Sequence, residues 1–548
     1  MNKTTLDRFK QGFYYNYHKH TDYSNISTSD SVAKVEHYLK RAKELGHDAY
    51  FTGEHGWQGD IFTCRSLCDE YGLKCIYSVE AYYVDDMYDR SSRKNYHIML
   101  VAKTKKGRKE INRILAKANT LGFYYKPRID LDCLLSLTPE DTIITTSCIA
   151  SRMFKGSDWE EKFLIPVYKH FGKNFFLEVQ AHVDSAQAIY NKMILDVHEK
   201  YGMPLIHAND SHYIYPKEAE YRSMYIKAKG MKYGDEDNFI LDYPSVNTIV
   251  QRYLKQGVLT KKQIVEAITN TYIFDECEDI YLDKEIKLPK IVDGNSDKYL
   301  AGIIDQAWKH ELPKVKKDRI PQYLEAIKDE FQTIVDCNMA DYFILDHEIV
   351  KKAVNDYGAI LTRSGRGSGV SFIINKFLGL TEVDRIKAPV KLYPSRFMSA
   401  ERIITSRSLP DFDINCADQE PLLQASRDIL GEDGAYFMVA YGTMKESQAF
   451  RTWCKALDLN HNEYNEIGKN LDEYRDNPKW SKIIENSSVF VDVIDSISPS
   501  PCSVLLLDKE ISKEIGLIRV GDEKSKSYRI CCCLDGINCD KYKYVKND

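Results

Sequence analysis

Two aspartates separated by one residue, Asp411 and Asp413, stand in the run Ser-Leu-Pro-Asp-Phe-Asp-Ile-Asn from 408 to 415. In an extended segment, side chains two residues apart face the same way, so both carboxylates project together while Phe412 and Ile414 face the opposite side. Carboxylate oxygens are good ligands for Mg²⁺, and a pair of such ions can stabilise the attacking and leaving oxygens of phosphoryl transfer. The spacing predicts a metal-dependent phosphoryl-transfer site; the alternative is a solvated pair of acids at the end of a strand.

A second set of metal-ligand residue types lies in the first part of the chain. His18 and His20 share one face of an extended segment by the same rule. Single ligand types then follow at or near predicted strand ends, namely His55, Glu80, His97, Cys148, Asp210 and His212. A mixed set of imidazole, carboxylate and thiolate suits Zn²⁺, Mn²⁺ or Fe²⁺ better than Mg²⁺ alone. One such histidine by itself is more often a satisfied core or surface residue, but the repeated pairing favours a metal cluster.

The elements that must position this set alternate between strand and helix from Gly12 to about Tyr215. The pattern predicts strands at 13–20, 49–52 and 75–84, and helices at 35–45 and 62–71. Repeated strand–helix units of this length predict an α/β fold with a parallel sheet, open or closed into a barrel. The functional groups of such a fold lie at the carboxyl ends of its strands.

The second half of the chain has a different pattern. After a less periodic stretch to about Lys290, amphipathic helices are predicted at 323–336 and 343–357. A glycine-rich turn at 364–369 precedes another predicted helix at 370–378. The stretch from 436 to about 486 is typical of solvated helices with alternating charge, and the last fifty residues return to strands.

Composition narrows the class of protein. Hydrophobic residues make up 43% and charged residues 29% of the 548, as in globular proteins of several domains. Lys and Arg total 76 against 81 Asp and Glu, so any nucleic acid must bind to local basic grooves rather than to a uniform positive field.

The start of the chain lacks the apolar core of a signal peptide, and no later apolar run is long enough for a membrane span, so we expect a cytoplasmic protein without membrane contact. The cluster Cys531-Cys532-Cys533 with Cys539 lacks paired Cys-x-x-Cys spacing and is interpreted as a small-apolar strand.

The first set of ligands resembles the motifs of the PHP (polymerase and histidinol phosphatase) domain. The matching stretches are His18-x-His20-Thr21, Glu54-His55-Gly56, Val79-Glu80-Ala81-Tyr82, His97, Cys148 and Asn209-Asp210-Ser211-His212. The resemblance implies a distorted (β/α)₇ barrel with nine ligand positions that hold up to three metals, expected here as Zn²⁺ or Mn²⁺. The family's aspartate after the second histidine falls on Ser27 by simple counting, and Asp30 is expected to replace it.

The second half resembles bacterial C-family replicative DNA polymerases, the alpha subunits of DNA polymerase III. The stretch Leu-Thr-Arg-Ser-Gly-Arg-Gly-Ser-Gly at 361–369 is similar to their glycine-rich motif, and it is followed by Leu-Tyr-Pro-Ser-Arg-Phe at 392–397 and Pro-Asp-Phe-Asp-Ile at 410–414. A late Lys-x-Asp pattern is matched by Lys546 and Asp548. The resemblance implies Asp411, Asp413 and Asp548 as catalytic ligands of two Mg²⁺ ions, with nucleotide contacts from Gly365, Arg366, Gly367, Ser368, Arg396, Arg402 and Lys546.

From this resemblance we expect a PHP domain over 1–225, a connector over 226–290, a mixed α+β nucleotidyltransferase palm over 291–435 and 498–548, and a small helical thumb inserted at 436–497. The expected function is DNA-directed DNA synthesis on primer-template DNA with dNTPs. The sequence variants of the motifs resemble those of phage-encoded members more than those of chromosomal members. Fingers, clamp-binding and C-terminal modules are expected on a second polypeptide, which would also contact the sliding clamp; an interrupted gene or a truncated sequence would explain their absence equally. One alternative is a metal-dependent phosphoesterase or 3′–5′ exonuclease in the barrel alone; another is a non-catalytic scaffold braced by metals.

Overall fold

Short strands and their connecting helices position the first set of predicted ligands. The computed structural model describes residues 3–233, 238–362, 364, 366–405, 407, 409–522 and 527–548. The N-terminal strands are β1 Ala49–Phe51, β2 Lys74–Ile76, β3 Ser78–Tyr83, β4 Tyr96–Ala102, β5 Arg128–Ile129, β6 Thr142–Thr145, β7 Phe175–Gln180 and β8 Leu205–Ala208. The helices of this region are α1 Lys3–Lys10, α2 Val35–Glu44, α3 Ile61–Tyr71, α4 Lys105–Thr120, α5 Leu131–Leu135, α6 Arg152–Lys155, α7 Ile165–Phe171, α8 Ser185–Tyr201, α9 Ala219–Ala228, α10 Val246–Gln256 and α11 Lys261–Asn270.

The rest of the chain holds longer helices and a second sheet. Its helices are α12 Ser296–Glu311, α13 Ile320–Asp336, α14 Ala340–Tyr357, α15 Ile373–Phe377, α16 Glu420–Leu430, α17 Glu446–Ala456, α18 His461–Ile467, α19 Ser481–Ser487, α20 Ile511–Glu514 and α21 Gly536–Lys541. Its strands are β9 Ala435–Thr443, β10 Ile494–Leu506, β11 Leu517–Asp522, β12 Ser527–Asp535 and β13 Val545–Asn547. The chain packs into two compact units, one of Met1–Leu282, Tyr441–Ser498 and Gly516–Arg529 and one of Asp283–Ala440, Pro499–Ile515 and Ile530–Asp548.

The main sheet of the first unit has the order β5-β3-β4-β6-β7-β8, and β1 pairs with β2 in parallel. Its strands are buried along nearly their whole length, as expected for a sheet covered on both faces. Their apolar side chains join one core that includes Phe51, Ile76, Met99, Ile143 and Ile206. Such a core fixes where each strand ends, and therefore where the polar groups just beyond the strands lie.

The expectation of a parallel sheet is wrong for one strand. β4 runs antiparallel to both β3 and β6, while the other pairs are parallel. The connection 84–95 between β3 and β4 contains no helix, whereas the crossover that returns a chain to a parallel neighbour is usually an α-helix. The reversal matters for the site, because His97 at the start of β4 lies opposite Tyr82 at the end of β3.

The strand predicted at 13–20 is also absent from the described residues. This segment pairs only at Lys19 with Ser211, and its other polar backbone groups use different partners. The Tyr15 N–H, for example, donates to Thr271 Oγ1 at 3.2 Å. The 75–84 strand is divided into β2 and β3, and the 370–378 helix is reduced to α15 after a short 3₁₀ turn at Gly369–Ser371. The other single helices predicted above appear at their positions within a few residues, but the prediction of helices from 436 is wrong at its start, where the chain forms the strand β9 at 435–443 before the helices begin at 446.

In the second unit, the strand order of the sheet makes β10 and β13, which are distant along the chain, neighbours. β12, β9, β10 and β13 are neighbours in that order, with Leu505 of β10 opposite Lys546 of β13. α14 presents a mostly buried face, and Gly358 ends it with φ of 66°. In the described part of the chain, no helix is both long enough and apolar enough to cross a lipid bilayer.

Candidate metal centres

A cluster of buried imidazoles and carboxylates lies beyond the strand ends of the first unit. His18 Nε2 lies 3.1 Å from Glu80 Oε1 and 3.3 Å from Asp210 Oδ1. His20 Nε2 lies 3.4 Å from Glu80 Oε2 and 3.3 Å from the same Asp210 oxygen. Although these atoms are close, His18 Nε2, His20 Nε2, Glu80 Oε2 and Asp210 Oδ1 are buried without a hydrogen bond among the described residues. Unsatisfied buried atoms are costly, and atoms that converge without bonding each other fit a shared metal ion.

A second group of ligands adjoins this one through Glu80. His55 Nδ1 lies 2.9 Å and His97 Nδ1 3.0 Å from the Glu80 carboxylate, while His55 Nε2 and His212 Nε2 lie 3.0 Å and 2.7 Å from Asp30 Oδ2. Three trios have ligand atoms within 4.8 Å of one another, namely His20/His55/His212, His18/His20/Glu80 and His55/Glu80/His97. Shared ligands between trios are the arrangement that a cluster of more than one divalent ion requires.

Cys148 lies at the edge of this group. Its Sγ is 3.8 Å from both Glu80 Oε1 and His97 Nδ1, and the preceding Ser147 has a φ of 61° that turns the chain after β6. The structure therefore brings together all nine positions expected from the sequence, including Asp30. All of them except His18 and His20 line a pocket of about 280 Å³.

Hydrogen bonds on the outer ring nitrogens leave the inner nitrogens available as ligands. His18 Nδ1 is 2.8 Å from Glu178 Oε1, a carboxylate that can only accept. Ser24 Oγ donates to Glu54 Oε2 at 2.6 Å, so it must accept from His20 Nδ1 at 3.1 Å. With both Nδ1 atoms carrying hydrogen, the Nε2 lone pairs face the cluster, as in metal sites whose histidines are oriented by a carboxylate.

Neighbouring charges shift the pKa values of His18 and Glu80 toward the charged forms despite deep burial, whereas the Cys148 thiol is shifted toward its neutral form. Burial by itself lowers the pKa of His18, but Asp210, Glu178 and Glu80 outweigh it and raise the pKa well above its usual range. Burial raises the pKa of the Glu80 carboxyl, yet His97 and His18 outweigh it and hold that pKa well below its usual range. Burial and then Glu80 raise the pKa of the Cys148 thiol. Complementary charges thus hold the ligand residues in one buried network.

The predicted phosphoryl-transfer residues lie in the second unit. The segment with Asp411 and Asp413 has no regular secondary structure, and its Ile414 N–H donates to the Asp548 backbone carbonyl at 2.9 Å. Phe412 is buried and its ring lies edge-on to Phe397, with centroids 6.3 Å apart. As the i, i+2 rule predicts, the apolar residue between the acids anchors the segment in the core.

Lys546 lies between two of the three predicted catalytic acids. Its Nζ is 2.5 Å from Asp548 Oδ2 and 4.0 Å from Asp411 Oδ2. Burial raises the pKa of Asp411; Lys546 lowers it, and Asp548 and Asp413 raise it further. The three acids are therefore electrostatic neighbours, although the Lys546 ammonium pairs with an acid here rather than standing free for a nucleotide.

The glycine-rich turn approaches the second acid closely. A Cβ added at Gly367, whose φ is +71°, would lie 2.2 Å from Asp413 Oδ2. Arg402 lines a pocket of about 270 Å³ together with Asp411 and Lys546. Arg366 and Arg396 are exposed and Ser368 is half-buried, while Gly365 lies outside the described residues.

Two buried carboxylates near these sites were missed by the sequence reasoning. Glu178 in β7 holds His18, and Asp346 on α14 lies one turn from Tyr342, whose hydroxyl accepts the Phe412 N–H at 3.3 Å. Neither Asp346 oxygen has a hydrogen bond of good geometry to a described residue. Burial raises its pKa to about 7, Tyr342 and Asn547 lower it, and Asp411 raises it. The sequence signal that could have identified Asp346 is its place after the apolar run Phe-Ile-Leu. Acids are rarely fully buried without a partner, so an acid in such a run is a candidate functional residue.

Comparison with known proteins matches both halves of the chain. Residues 16–182 match the PHP domain model, and residues 298–546 match the model of the bacterial DNA polymerase III alpha NTPase domain. DNA polymerase III subunit alpha of Aquifex aeolicus is 26% identical over 490 residues, covering 82% of this chain and 40% of that protein. The same subunit of Borreliella burgdorferi is 27% identical over 493 residues, covering 86% of this chain and 41% of that protein. This chain thus spans about two fifths of the length of these curated relatives.

Among solved structures, a putative metal-dependent phosphoesterase from Bifidobacterium adolescentis is 13% identical and covers 43% of this chain and 95% of that chain. Its TM-score of 0.25 is too low to define a fold. The fold is mixed α/β with a PHP domain, and the resemblance to both families stated from the sequence is confirmed by the family models.

Proposed function

From the premise that this chain is a relative of bacterial DNA polymerase III alpha subunits and carries a PHP domain, we propose that it serves DNA-directed DNA synthesis. The observation that carries the proposal is the joining of the Asp411–Asp413 segment to Asp548 by a backbone hydrogen bond. This bond sets the acids of two distant segments side by side, next to a glycine-rich turn. That is the arrangement nucleotidyl transfer needs.

In this proposal Asp411, Asp413 and Asp548 hold two Mg²⁺ ions. When bound, these ions would activate the primer 3′-hydroxyl and neutralise the leaving pyrophosphate. The chain's own contribution is positioning: Phe412 anchors the acids, and Gly367 lets backbone approach them without a side chain. Arg402 lines the same pocket and suits phosphate oxygens, and Lys546 would exchange its acid partner for the triphosphate.

The finer architecture is part of the same proposal. The first unit would be a distorted (β/α)₇ barrel over 1–225, followed by a connector over 226–290. The palm would comprise 291–435 and 498–548, with a helical thumb at 436–497. Primer-template DNA and dNTPs would be the substrates, in the cytoplasm of a bacterial host. A second polypeptide with fingers and clamp-binding modules would complete a phage-type enzyme.

Separate substitutions test the assignment. The full chain is reconstituted with the second polypeptide and supplied with Mg²⁺, primer-template DNA and dNTPs. Nucleotide incorporation is measured as primer extension. Asp413→Asn should abolish extension, whereas His20→Ala should leave it in place because His20 belongs to the other cluster. Extension by Asp413→Asn at the unsubstituted rate would overturn the proposal. No extension by the unsubstituted reconstituted protein would favour the metal-braced scaffold.

We propose a second activity for the first unit, hydrolysis of a phosphodiester in the manner of a 3′–5′ exonuclease. The observation that favours it is the set of buried ligand atoms without hydrogen bonds beneath an open pocket. The residues fit up to three Zn²⁺ or Mn²⁺ ions, which would supply an activated water when bound. Loss of nuclease activity in His20→Ala, with retention in Asp413→Asn, is the expected result. Equal nuclease activity in His20→Ala would refute it.

A further inference from the structure

Lys126 lines the pocket above the cluster, together with Asp30, His55 and His212. Its Nζ donates to the Ser27 backbone carbonyl and lies 5.1 Å from the centre of the Tyr82 ring. Within the described ranges, no carboxylate lies within ion-pair distance of this ammonium. Two of its three N–H donors therefore remain for a ligand.

Backbone contacts on both sides of Lys126 fix the position from which its side chain enters the pocket. Tyr124 and Lys126 pair with each other, with the Tyr124 N–H donating to the Lys126 carbonyl at 3.0 Å. The following Pro127 restricts Lys126 to extended backbone and packs so close to Gly56 that an added Cβ there would meet it at 3.0 Å. The ammonium is thus carried by a fixed segment beside the cluster.

The charges around the pocket explain what this cation would do. Asp30, Glu80 and Asp210 are buried acids that would repel an anionic substrate. Arg222 is not available to offset them, because its guanidinium pairs with Asp30 Oδ1 and its Nε donates to the Asp30 carbonyl at 2.8 Å. Desolvation of Lys126 lowers its pKa to about 8, with Asp30 acting in the opposite direction, so the amine is still mainly charged at neutral pH.

We propose that Lys126 binds a non-bridging phosphate oxygen of the ester that enters this pocket. The inference rests on the second proposed activity and concerns binding rather than the chemical step. Lys126 is thereby a substrate-binding residue and not a metal ligand. Its ammonium balances the phosphate charge at the side of the cluster where it lies above the Tyr82 ring.

The test uses the full chain loaded with Mn²⁺ and inorganic phosphate as the probe, with binding measured by calorimetry and metal content by elemental analysis. Lys126→Met, which keeps the stem and removes the charge, should weaken phosphate binding on the order of 10- to 100-fold at unchanged metal content. Lys126→Arg should restore most of the binding. Lys106→Met is the matched control, since Lys106 pairs with Asp141 at 3.1 Å and is 62% exposed on α4.

Equal phosphate binding by Lys126→Met and the unsubstituted protein would overturn the inference, as would loss of metal in parallel with loss of phosphate. Failure of the unsubstituted protein to bind phosphate would also overturn it. The second proposed activity fails separately, when the metal-loaded protein binds phosphate but cleaves no single-stranded DNA end.

Discussion

The Ile414 N–H donates to the carbonyl of Asp548 at 2.9 Å, and this bond joins the two segments that carry the predicted catalytic acids. The relationship ties the carboxylates of Asp411 and Asp413 to a strand that is far away along the chain. It also gives a way to disturb the site without changing an acid.

Replacing Ile414 by proline removes that donor. We expect incorporation to fall by at least an order of magnitude, and the free energy of unfolding of the second unit to fall by about 1 to 3 kcal/mol. Primer extension and guanidinium unfolding measure the two effects. Ile414→Val keeps the N–H and should behave as the unsubstituted chain; a similar loss in this control would assign the effect to packing.

Gly367→Ala should move the Asp413 carboxylate. The added Cβ would overlap Asp413 Oδ2, in a backbone conformation with φ of +71° that disfavours L side chains. We expect a loss of incorporation on the order of 100-fold, as for misplaced catalytic groups. Gly379→Ala is the matched control, because its φ is +75° and its Cβ would meet nothing within 4 Å. Should both variants lose the same activity, backbone strain and not contact with Asp413 would be responsible.

Asp346→Asn should change the pH dependence of stability. Burial raises the pKa of Asp346 from 3.8 to about 7, so the folded state keeps a proton that the unfolded state releases between these values. The folded state therefore loses stability as pH rises from about 4 to about 7, by up to a few kcal/mol. The variant should lack this loss in urea unfolding with chelator present. Asp305→Asn is the control, because the Asp305 side chain is 57% exposed, and this variant should keep the stability–pH profile of the unsubstituted chain. An unchanged profile in Asp346→Asn would contradict the prediction.

Glu178→Gln should weaken the first metal cluster. An amide oxygen accepts from His18 Nδ1 less strongly than the carboxylate does. The other carboxylate oxygen of Glu178 accepts from the Tyr17 and Thr145 hydroxyls at 2.7 Å, and an amide nitrogen in its place could not accept. Metal affinity should fall about 10- to 100-fold, as for partners that orient ligand histidines. Competition with a chelator measures the affinity. Thr142→Val, which removes a buried hydroxyl that bonds to no residue described in the structure, is the control; equal affinities of Glu178→Gln and the control would argue against an orienting role.

Local pattern predicted much of the first unit. The alternation of strand and helix placed β1, β3, α2 and α3, with His55 after β1 and Glu80 within β3. It did not predict the reversal of β4, because strand direction depends on how the chain returns and not on the residues of the strand. This reversal is what brings His97 beside the end of β3, since an antiparallel strand begins where its neighbour ends; in a parallel β4 the same residue would lie at the opposite rim.

Contacts between distant residues were beyond the sequence pattern. Nothing local to Ile414 indicates that its N–H bonds to Asp548, and only family resemblance paired these segments. Glu178 and Asp346 were missed for a related reason: each is a single acid in an apolar run, and its role depends on partners from another element. A buried acid in such a run is a signal that can be searched for.

Protein synthesis begins at the N-terminus, and folding tends to follow the same order. His212, the last ligand of the first cluster, leaves the ribosome well before Asp411 does. The Ile414 N–H, by contrast, has no carbonyl from Asp548 until that residue is made. A nascent chain therefore holds every residue of its histidine cluster before the bond between Ile414 and Asp548 can form, and translation that stalls between Arg529 and Asp548 would release a protein with all segments of the first unit but without that bond.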